Sequence, residues 1–505
     1  MISSHYPILQ VVIPLLGAPI CVLIREKTWV WAISLITAWS SFIISMLLWL
    51  TVSKEGAISY HIGNWPPPWG IEYRIDILSA LVLILVSGIG SLVIIFARKS
   101  IENEIPEERA YLFYTMFLLA LSGLLGMVAT GDLFNLFVFL EISSLSTYVL
   151  ISLGASKKAM TSAFRYLILG TLGATFYVIG VGILYQLTGT LNMLDLASRI
   201  PEISKSSSLI LAFGFLTAGI GLKMGLFPLH TWLPNAYTYA PSIITVFLSA
   251  TATKVAIYVL LRIYFTIFGV NSFSLFPMDK ILLALGVVSI LTMSLVAIFQ
   301  TNLKRMFAYS SVAQTGYIII GVSLLTEKGL ISAIVHTFNH ALMKGALFFA
   351  LGAIFYRVST TKLSSLSGLG KMMPLSTSAF LVSGLSLIGV PFTVGFVSKW
   401  YLVLGLIEKG WWPIAILALL SSILAVVYIW RTIEVLYFQD PIKSNQKIKE
   451  VGISLWLPMW NLVSANIYFG IDTDFTISFA SSCLLYTSDA ADEGLGVDLG
   501  GRRII

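Results

Sequence analysis

Four residues stand where a charge is hardest to keep. Lys223 (GLKMG), Lys254 (ATKVA), Lys399 (FVSKW) and Glu141 (VFLEISS) each lie inside a stretch otherwise apolar enough to span a membrane. A charge at the bilayer centre costs at least roughly 2.5–3.5 kcal/mol on insertion scales. Packing an apolar bundle requires no such charge, so intramembrane charges point to an ion or proton path. Lysine suits that task because it gives up its proton readily once desolvated, whereas arginine does not. A glutamate–lysine pair in a dry interior hands a proton on when either partner's surroundings change. The plainer alternative for Glu141 is a static ion pair that pins helices.

A second group lies in ISAIVHTFNHALMKGALFFALG, where His336, His340 and Lys344 recur every four residues. On a helix they share one face over about 12 Å. An imidazole titrates near neutral pH and relays protons. Two histidines at this spacing also suit a metal, but the glutamate of HExxH is missing and no third ligand is evident. They are therefore read as relay residues without a metal, against the alternative of satisfied core histidines. His230, in FPLHTWLP, either gates access or hydrogen-bonds backbone freed by the prolines around it. Ser249, Thr251 and Thr253 flank Lys254 with hydroxyls. Asp132 reads as a helix cap or solvated residue, Arg262 as structural, and Glu434 as a local partner of Arg431.

Helices must position these groups. Apolar runs near the roughly 20 residues that cross hydrocarbon recur about fourteen times, near 8–24, 29–52, 75–97, 111–130, 133–153, 162–187, 208–228, 240–268, 279–300, 305–325, 329–356, 376–405, 412–438 and 452–471. Two of them break in comparable ways. In FGFLTAGIGLKMGLFPLHTWLP, Lys223 precedes Pro228; in SGLSLIGVPFTVGFVSKW, Pro391 precedes Lys399. Gly/Pro-interrupted segments at corresponding places in two halves point to inverted repeats. The backbone that a break frees is tolerable only beside protein or water, so both lysines are expected to border a hydrated cavity. The polar connections 53–73, 98–109 and 357–375 are loop-sized. The first carries NWPPPWG, a stiff proline segment whose tryptophans suit the membrane interface.

The composition agrees. Of 505 residues, 57% are hydrophobic and 11% charged, against roughly 25% charged in soluble domains, and mean hydropathy is +0.90. This is an all-α polytopic membrane chain. The formal charge of +7 is scattered over loops and indicates no nucleic-acid partner. With the N-terminus outside, inward loops hold 16 Lys and Arg against 7 in outward loops, so the positive-inside rule places both termini outside. Cys21 falls within the first span, so neither a disulfide framework nor a metal spacing arises from the two cysteines. The first span reads as a retained helix and not a cleaved signal. From about residue 483 onward, CLLYTSDAADEGLGVDLGGRRII has neither helical periodicity nor apolar continuity. It resembles sequencing-adapter read-through and is read as a non-native tail.

With these residues in hand, the chain resembles the antiporter-like subunits shared by Mrp-type cation/proton antiporters, respiratory complex I and membrane-bound hydrogenases. The similarity is carried by GLKMGLFPLHTWLPNAYTYAPS (221–242), ATATKVAIY (250–258), NLKRMFAYSSVAQTGYI (302–318), HTFNHALMKGALFF (336–349) and LSLIGVPFTVGFVSKWYL (385–402), and covers roughly residues 70–470. It implies fourteen helices: helices 1–3 in residues 1–110, inverted five-helix repeats at 111–268 and 279–438, and a last helix at 452–471. It implies a hydrated polar axis along the membrane midplane. On that resemblance Glu141 and Lys223 match the glutamate–lysine pair, Lys254 the connecting lysine, His336 and His340 the bridging helix, and Lys399 the end of the second half-channel. One complex I subunit type has glutamate at the last position, and another carries a long lateral helix not visible here. PNAYTYAPS with VGFVSKWYLVLGLIEKGWW is most similar to the D-type subunit of Mrp antiporters.

The resemblance implies an ion-transporter subunit, not an enzyme, exchanging sodium for protons in the cell membrane beside other membrane subunits. The alternative is a proton-pumping antiporter-like subunit of a complex I-type NADH/quinone oxidoreductase or a membrane-bound hydrogenase. No cysteine cluster or Gly-rich nucleotide loop is present. No cofactor is therefore expected in this chain, and electrons would travel in its partners.

Overall fold

In hydrocarbon every backbone polar group must be satisfied within its own segment, and the apolar runs accordingly fold as helices. The computed structural model describes residues 3–204, 206–270, 273, 277–441 and 448–492. Helices α1 (Tyr6–Ile24) and α2 (Lys27–Glu55) form a hairpin. Its turn ends where the Glu26 carboxylate accepts the Thr28 and Trp29 N–H groups at 3.1 and 3.0 Å. A short antiparallel ribbon follows, β1 (Ile58–His61) against β2 (Glu72–Ile75), with Ile58 opposite Ile75. The reading of 53–73 as a plain loop missed this ribbon, which leaves the proline segment at its tip.

Then come α3 (Ile77–Glu104), α4 (Ala110–Ala129), α5 (Leu133–Ser152), α6 (Lys157–Thr188), the short α7 (Met193–Arg199), α8 (Ser207–Met224) and α9 (Leu233–Tyr239). Helices α10 (Ser242–Phe247) and α11 (Thr253–Leu261) continue one another through a π turn at Leu248–Ala252, and a second π turn follows at Arg262–Ile267. The second half holds α12 (Met278–Ile298), α13 (Leu303–Ser323), α14 (Glu327–Val358), α15 (Pro374–Ile388), α16 (Val394–Glu408) and α17 (Trp412–Ile433), then α18 (Ile453–Ile471) and α19 (Asp474–Asp492). Among the described residues eleven helical segments are long and apolar enough to cross a membrane. The other three expected crossings correspond to α13, to the broken pair α15/α16, and to α18.

The two halves repeat one plan. Asp132 caps α5 by accepting the Asn135 N–H at 2.7 Å, and Asn302 caps α13 by accepting the Arg305 N–H at 3.2 Å. Beside each cap the chain returns from the next long helix as a one-residue strand. Asp132 pairs with Asn192 after α6, and Asn302 pairs with Lys362 after α14. Each bridge is closed by two backbone bonds of 2.9 Å: Leu133 to Leu191 and Met193 to Gly131, then Leu303 to Thr361 and Leu363 to Thr301. A broken helix follows in each half, α8/α9 and α15/α16. An odd number of crossings per unit makes the second copy enter the membrane from the opposite side.

Close packing of small residues joins the helices. A Cβ on Gly219 of α8 would stand 2.6 Å from the Gly173 carbonyl of α6, and one on Gly286 of α12 3.0 Å from the Gly316 carbonyl of α13. Contacts this close are how membrane helices associate without a hydrophobic driving force. Helix α14 runs through the centre of the molecule, and every residue from Ile331 to Ile354 is buried.

The C-terminal end differs from expectation. Helix α19 continues through Asp492, well past the point where the sequence pattern lapses. Its first turns are held by packing: Phe475 meets Trp49 at 6.0 Å and Phe469 at 5.5 Å, and Cys483 is buried. The remainder of the expected non-native tail, 493–505, lies outside the described residues, as do Lys205, Lys443 and Lys447 among the loop charges.

Candidate functional site

The first charged position forms where α8 stops. Gly225 takes the left-handed conformation (φ +71°) that ends the helix, leaving Lys223 in its last turn. The Lys223 Nζ donates to the Ser144 Oγ at 2.6 Å and the Tyr148 OH at 3.3 Å, both on α5. These lie one and two turns beyond Glu141. Glu141 itself makes no ion pair within 4.0 Å among the described residues, and its Oε1 is buried without a hydrogen-bond partner. Glu141, Ser144 and Tyr148 thus share one face of α5, and Lys223 of α8 is held against that face through the Ser144 and Tyr148 hydroxyls. Trp232 braces the break by donating to the Leu222 carbonyl at 2.9 Å while stacking on Tyr166 at 3.8 Å. His230 stacks on Phe227 at 5.4 Å, and its Nδ1 has no hydrogen-bond partner among the described residues.

Lys254 is fully buried. The π turn just before it presents the Ser249 carbonyl, to which its Nζ donates, and the Thr253 Oγ1 lies at 3.3 Å. π turns inside helices recur at functional positions. This turn packs on the middle of α14, where a Cβ on Gly345 would lie 3.6 Å from the Ala250 Cβ.

Along α14, His336 and His340 stack nearly parallel with ring centroids 6.0 Å apart. The His336 Nε2 lies 2.9 Å from the Gln314 Oε1 of α13, and its Nδ1 2.7 Å from the Ser398 Oγ of α16. An amide oxygen only accepts, so with that amide orientation Nε2 carries the proton and Nδ1 of the neutral ring accepts from Ser398. His340 is buried, and neither ring nitrogen has a hydrogen-bond partner among the described residues. An unpaired polar group in a dry interior costs about 1–3 kcal/mol, and His340 brings two. Lys344 closes the row, donating to the Phe307 carbonyl at 2.9 Å and to the Ser310 hydroxyl.

Lys399 ends the series beside the second break. Gly389 (φ +95°) terminates α15, and the carbonyls this frees at Leu387 and Ile388 each accept from the Lys399 Nζ at 2.9 Å. The Ser422 Oγ accepts at 3.1 Å, and the ammonium lies 4.8 Å from the centre of the Tyr317 ring. Both breaks therefore position a buried lysine, one by ending the helix that carries it and one by offering it carbonyls.

The secondary assignments divide. Asp132 caps α5, as one of its two readings held. Arg262 is buried and structural, bonded to Asp76, to the Ser79 Oγ at 2.9 Å and to the Tyr258 OH at 2.9 Å. The local pair between Glu434 and Arg431 does not form. Arg431 reaches instead across to the Ile298 carbonyl of α12 at 2.9 Å. Sequence reasoning also missed Ser144, Tyr148, Gln314, Tyr317, Ser398 and Ser422. Only Gln314 carried a signal, as the lone carboxamide inside α13. No group of three or more His, Cys, Asp or Glu suited to a metal occurs among the described residues.

Broken helices, buried lysines and a central histidine helix define a polytopic antiporter-like membrane subunit. The chain belongs to the family described as NADH:quinone oxidoreductase/Mrp antiporter, TM, which matches residues 130–425. It is 43% identical over 441 residues to NADH-quinone oxidoreductase subunit N of Desulforudis audaxviator, covering 86% of this chain and 87% of that protein. It is 32% identical over 429 residues to the D-type subunit of the Na(+)/H(+) antiporter of Alkalihalophilus pseudofirmus, covering 85% and 86%. Among solved structures it is similar to a chain of the membrane-bound sulfane sulfur reductase, an archaeal respiratory membrane complex. There the TM-score is 0.89 at 31% identity, with 97% of this chain and 99% of that one covered.

Proposed function

We propose that this chain carries protons through the membrane along Glu141, Lys223, Lys254, the His336/His340 helix with Lys344, and Lys399, as one subunit of a multisubunit complex in the cell membrane. The observation that carries the reading is the four buried lysines on this path; a fifth, Lys304, is buried at the start of α13 and donates to the Ala240 carbonyl at 3.1 Å. Each of the four is held by neutral hydroxyls and carbonyls, not by carboxylates. Such an ammonium loses no ion pair when it gives up its proton, and lysine, unlike arginine, can do so. Protonation of one lysine then disfavours charge on the next, which couples the two halves.

Exchange of sodium for protons is the first reading of what drives the movement, supported by the likeness to a protein named as part of a Na(+)/H(+) antiporter. A redox-driven pump is the second, favoured by the higher identity to a protein named as part of a quinone oxidoreductase. Vesicles containing the chain with its co-purified partners, monitored for internal pH, separate them. Proton movement on a sodium jump, lost in Lys223→Ala, supports the antiporter reading. Movement only on adding a redox substrate supports the pump. Normal movement by Lys223→Ala under both drives overturns the relay itself.

A further inference from the structure

The second helix break lies deep in the membrane and opens on the outer surface of the chain. Helices α15 and α16 have 15 residues each, about 22 Å apiece at 1.5 Å per residue, too short to cross roughly 30 Å alone. The central helix gives the depth. Asn339 and Met343 flank the midpoint of the 32-residue α14. Asn339 Nδ2 donates to the Val394 carbonyl at 2.7 Å, and a Cβ on Gly395 would lie 3.1 Å from the Met343 sulfur. The chain just after the break therefore sits at the level of the membrane centre.

At this depth Pro391 is exposed, and Phe392 is 73% exposed with φ +68°. Among the described residues the Phe392 N–H has no acceptor. The loop is backed from behind by α18, where a Cβ on Gly470 would stand 2.5 Å from Thr393. Beside it on α16, Phe396 and Trp400 stack at 5.8 Å, and Trp400 is 51% exposed. Helix α17 presents a different face: its exposed Ile416, Leu419, Ile423 and Val427 are aliphatic and lie on continuous helix, a surface lipid solvates completely. Lipid tails offer the Phe392 N–H nothing, and irregular backbone at membrane depth does not face lipid. Protein is the occupant that meets both requirements, supplying an acceptor and a socket for aromatic anchors.

We propose that the Gly389–Thr393 break, with the Phe396/Trp400 face of α16, is the docking surface for a transmembrane helix of a partner subunit that carries a hydrogen-bond acceptor at mid-span. This rests on the multisubunit reading, but its test needs no ion transport. Phe392→Cys and, as a lipid-facing control, Ile423→Cys are labelled in native membranes with a benzophenone maleimide and irradiated before solubilisation. The expected result is a protein adduct of higher mass, containing a second polypeptide, from position 392 and lipid adducts alone from position 423. Phe392→Ala should lower the partner retained on purification about tenfold, the loss expected of an aromatic anchor. Lipid adducts alone at 392, or an adduct of twice this chain's mass, would overturn the proposal while leaving the proton assay untouched. Trp400→Cys, on the same face, serves if Phe392→Cys does not reach the membrane.

Discussion

Proton transfer along this chain depends on which side chains can change protonation without losing their place. Lys399 is held by the Leu387 and Ile388 carbonyls and the Ser422 hydroxyl. Arginine would keep charge and donors there but would not release a proton. Lys399→Arg is expected to assemble normally and to stop proton movement, whereas retained movement would show that the charge alone matters. Gln314 has a different part, since its oxygen fixes the His336 tautomer from 2.9 Å. Gln314→Leu leaves a buried N–H unpaired, at about 1–3 kcal/mol, so thermal unfolding in detergent should come earlier and proton flux should fall. The lysines were legible because a charge in an apolar run needs an explanation. Gln314 showed only as the lone carboxamide of α13, and Ser398 and Ser422 not at all, because uncharged polar residues are frequent in membrane helices and only the fold shows which meet a histidine or lysine.

Elements supply the rigid frame for that chemistry through breaks and caps. Gly389 is in the left-handed region with the Lys399 side chain close by, since a Cβ there would lie 3.1 Å from the lysine Cδ. Gly389→Ala should cost roughly 1–2 kcal/mol from backbone strain and displace the lysine, read as a lower unfolding temperature together with slower flux. The repeated plan makes a paired prediction. Asp132 and Asn302 are N-caps at matching places in the two halves, so Asp132→Ala and Asn302→Ala should each cost about 1 kcal/mol. Their losses should add, because the sites belong to separate units. Both breaks were readable from glycine and proline beside lysine. The π turns before Lys254 and after Leu261 were not, since no residue type announces them. The ribbon at 58–75 and the first turns of α19 were missed likewise, held by tertiary contacts that local periodicity does not encode.

Across the whole molecule, the question is whether the two halves form one path or two. The charged groups follow α5, α8, α11, α14 and α16 in turn, and α14 passes through the centre without an exposed residue from Ile331 to Ile354. A single path in series has a kinetic signature. Tyr148→Phe removes a hydroxyl 3.3 Å from the Lys223 Nζ, and Ser422→Ala one 3.1 Å from the Lys399 Nζ. Each change keeps the lysine and should slow proton transfer, by up to about tenfold if roughly 1.4 kcal/mol is lost from the rate-limiting step. In series, the slower step sets the flux, so the double variant should run close to the slower single variant. Two independent paths would behave differently, with each single variant retaining the other half's contribution and only the double showing the full loss. Initial rates of internal pH change in vesicles, measured for the four proteins under one driving gradient, decide between them. A double variant far slower than either single, with both singles near half of the parent rate, would divide the axis at α14 and make its histidines a barrier instead of a bridge.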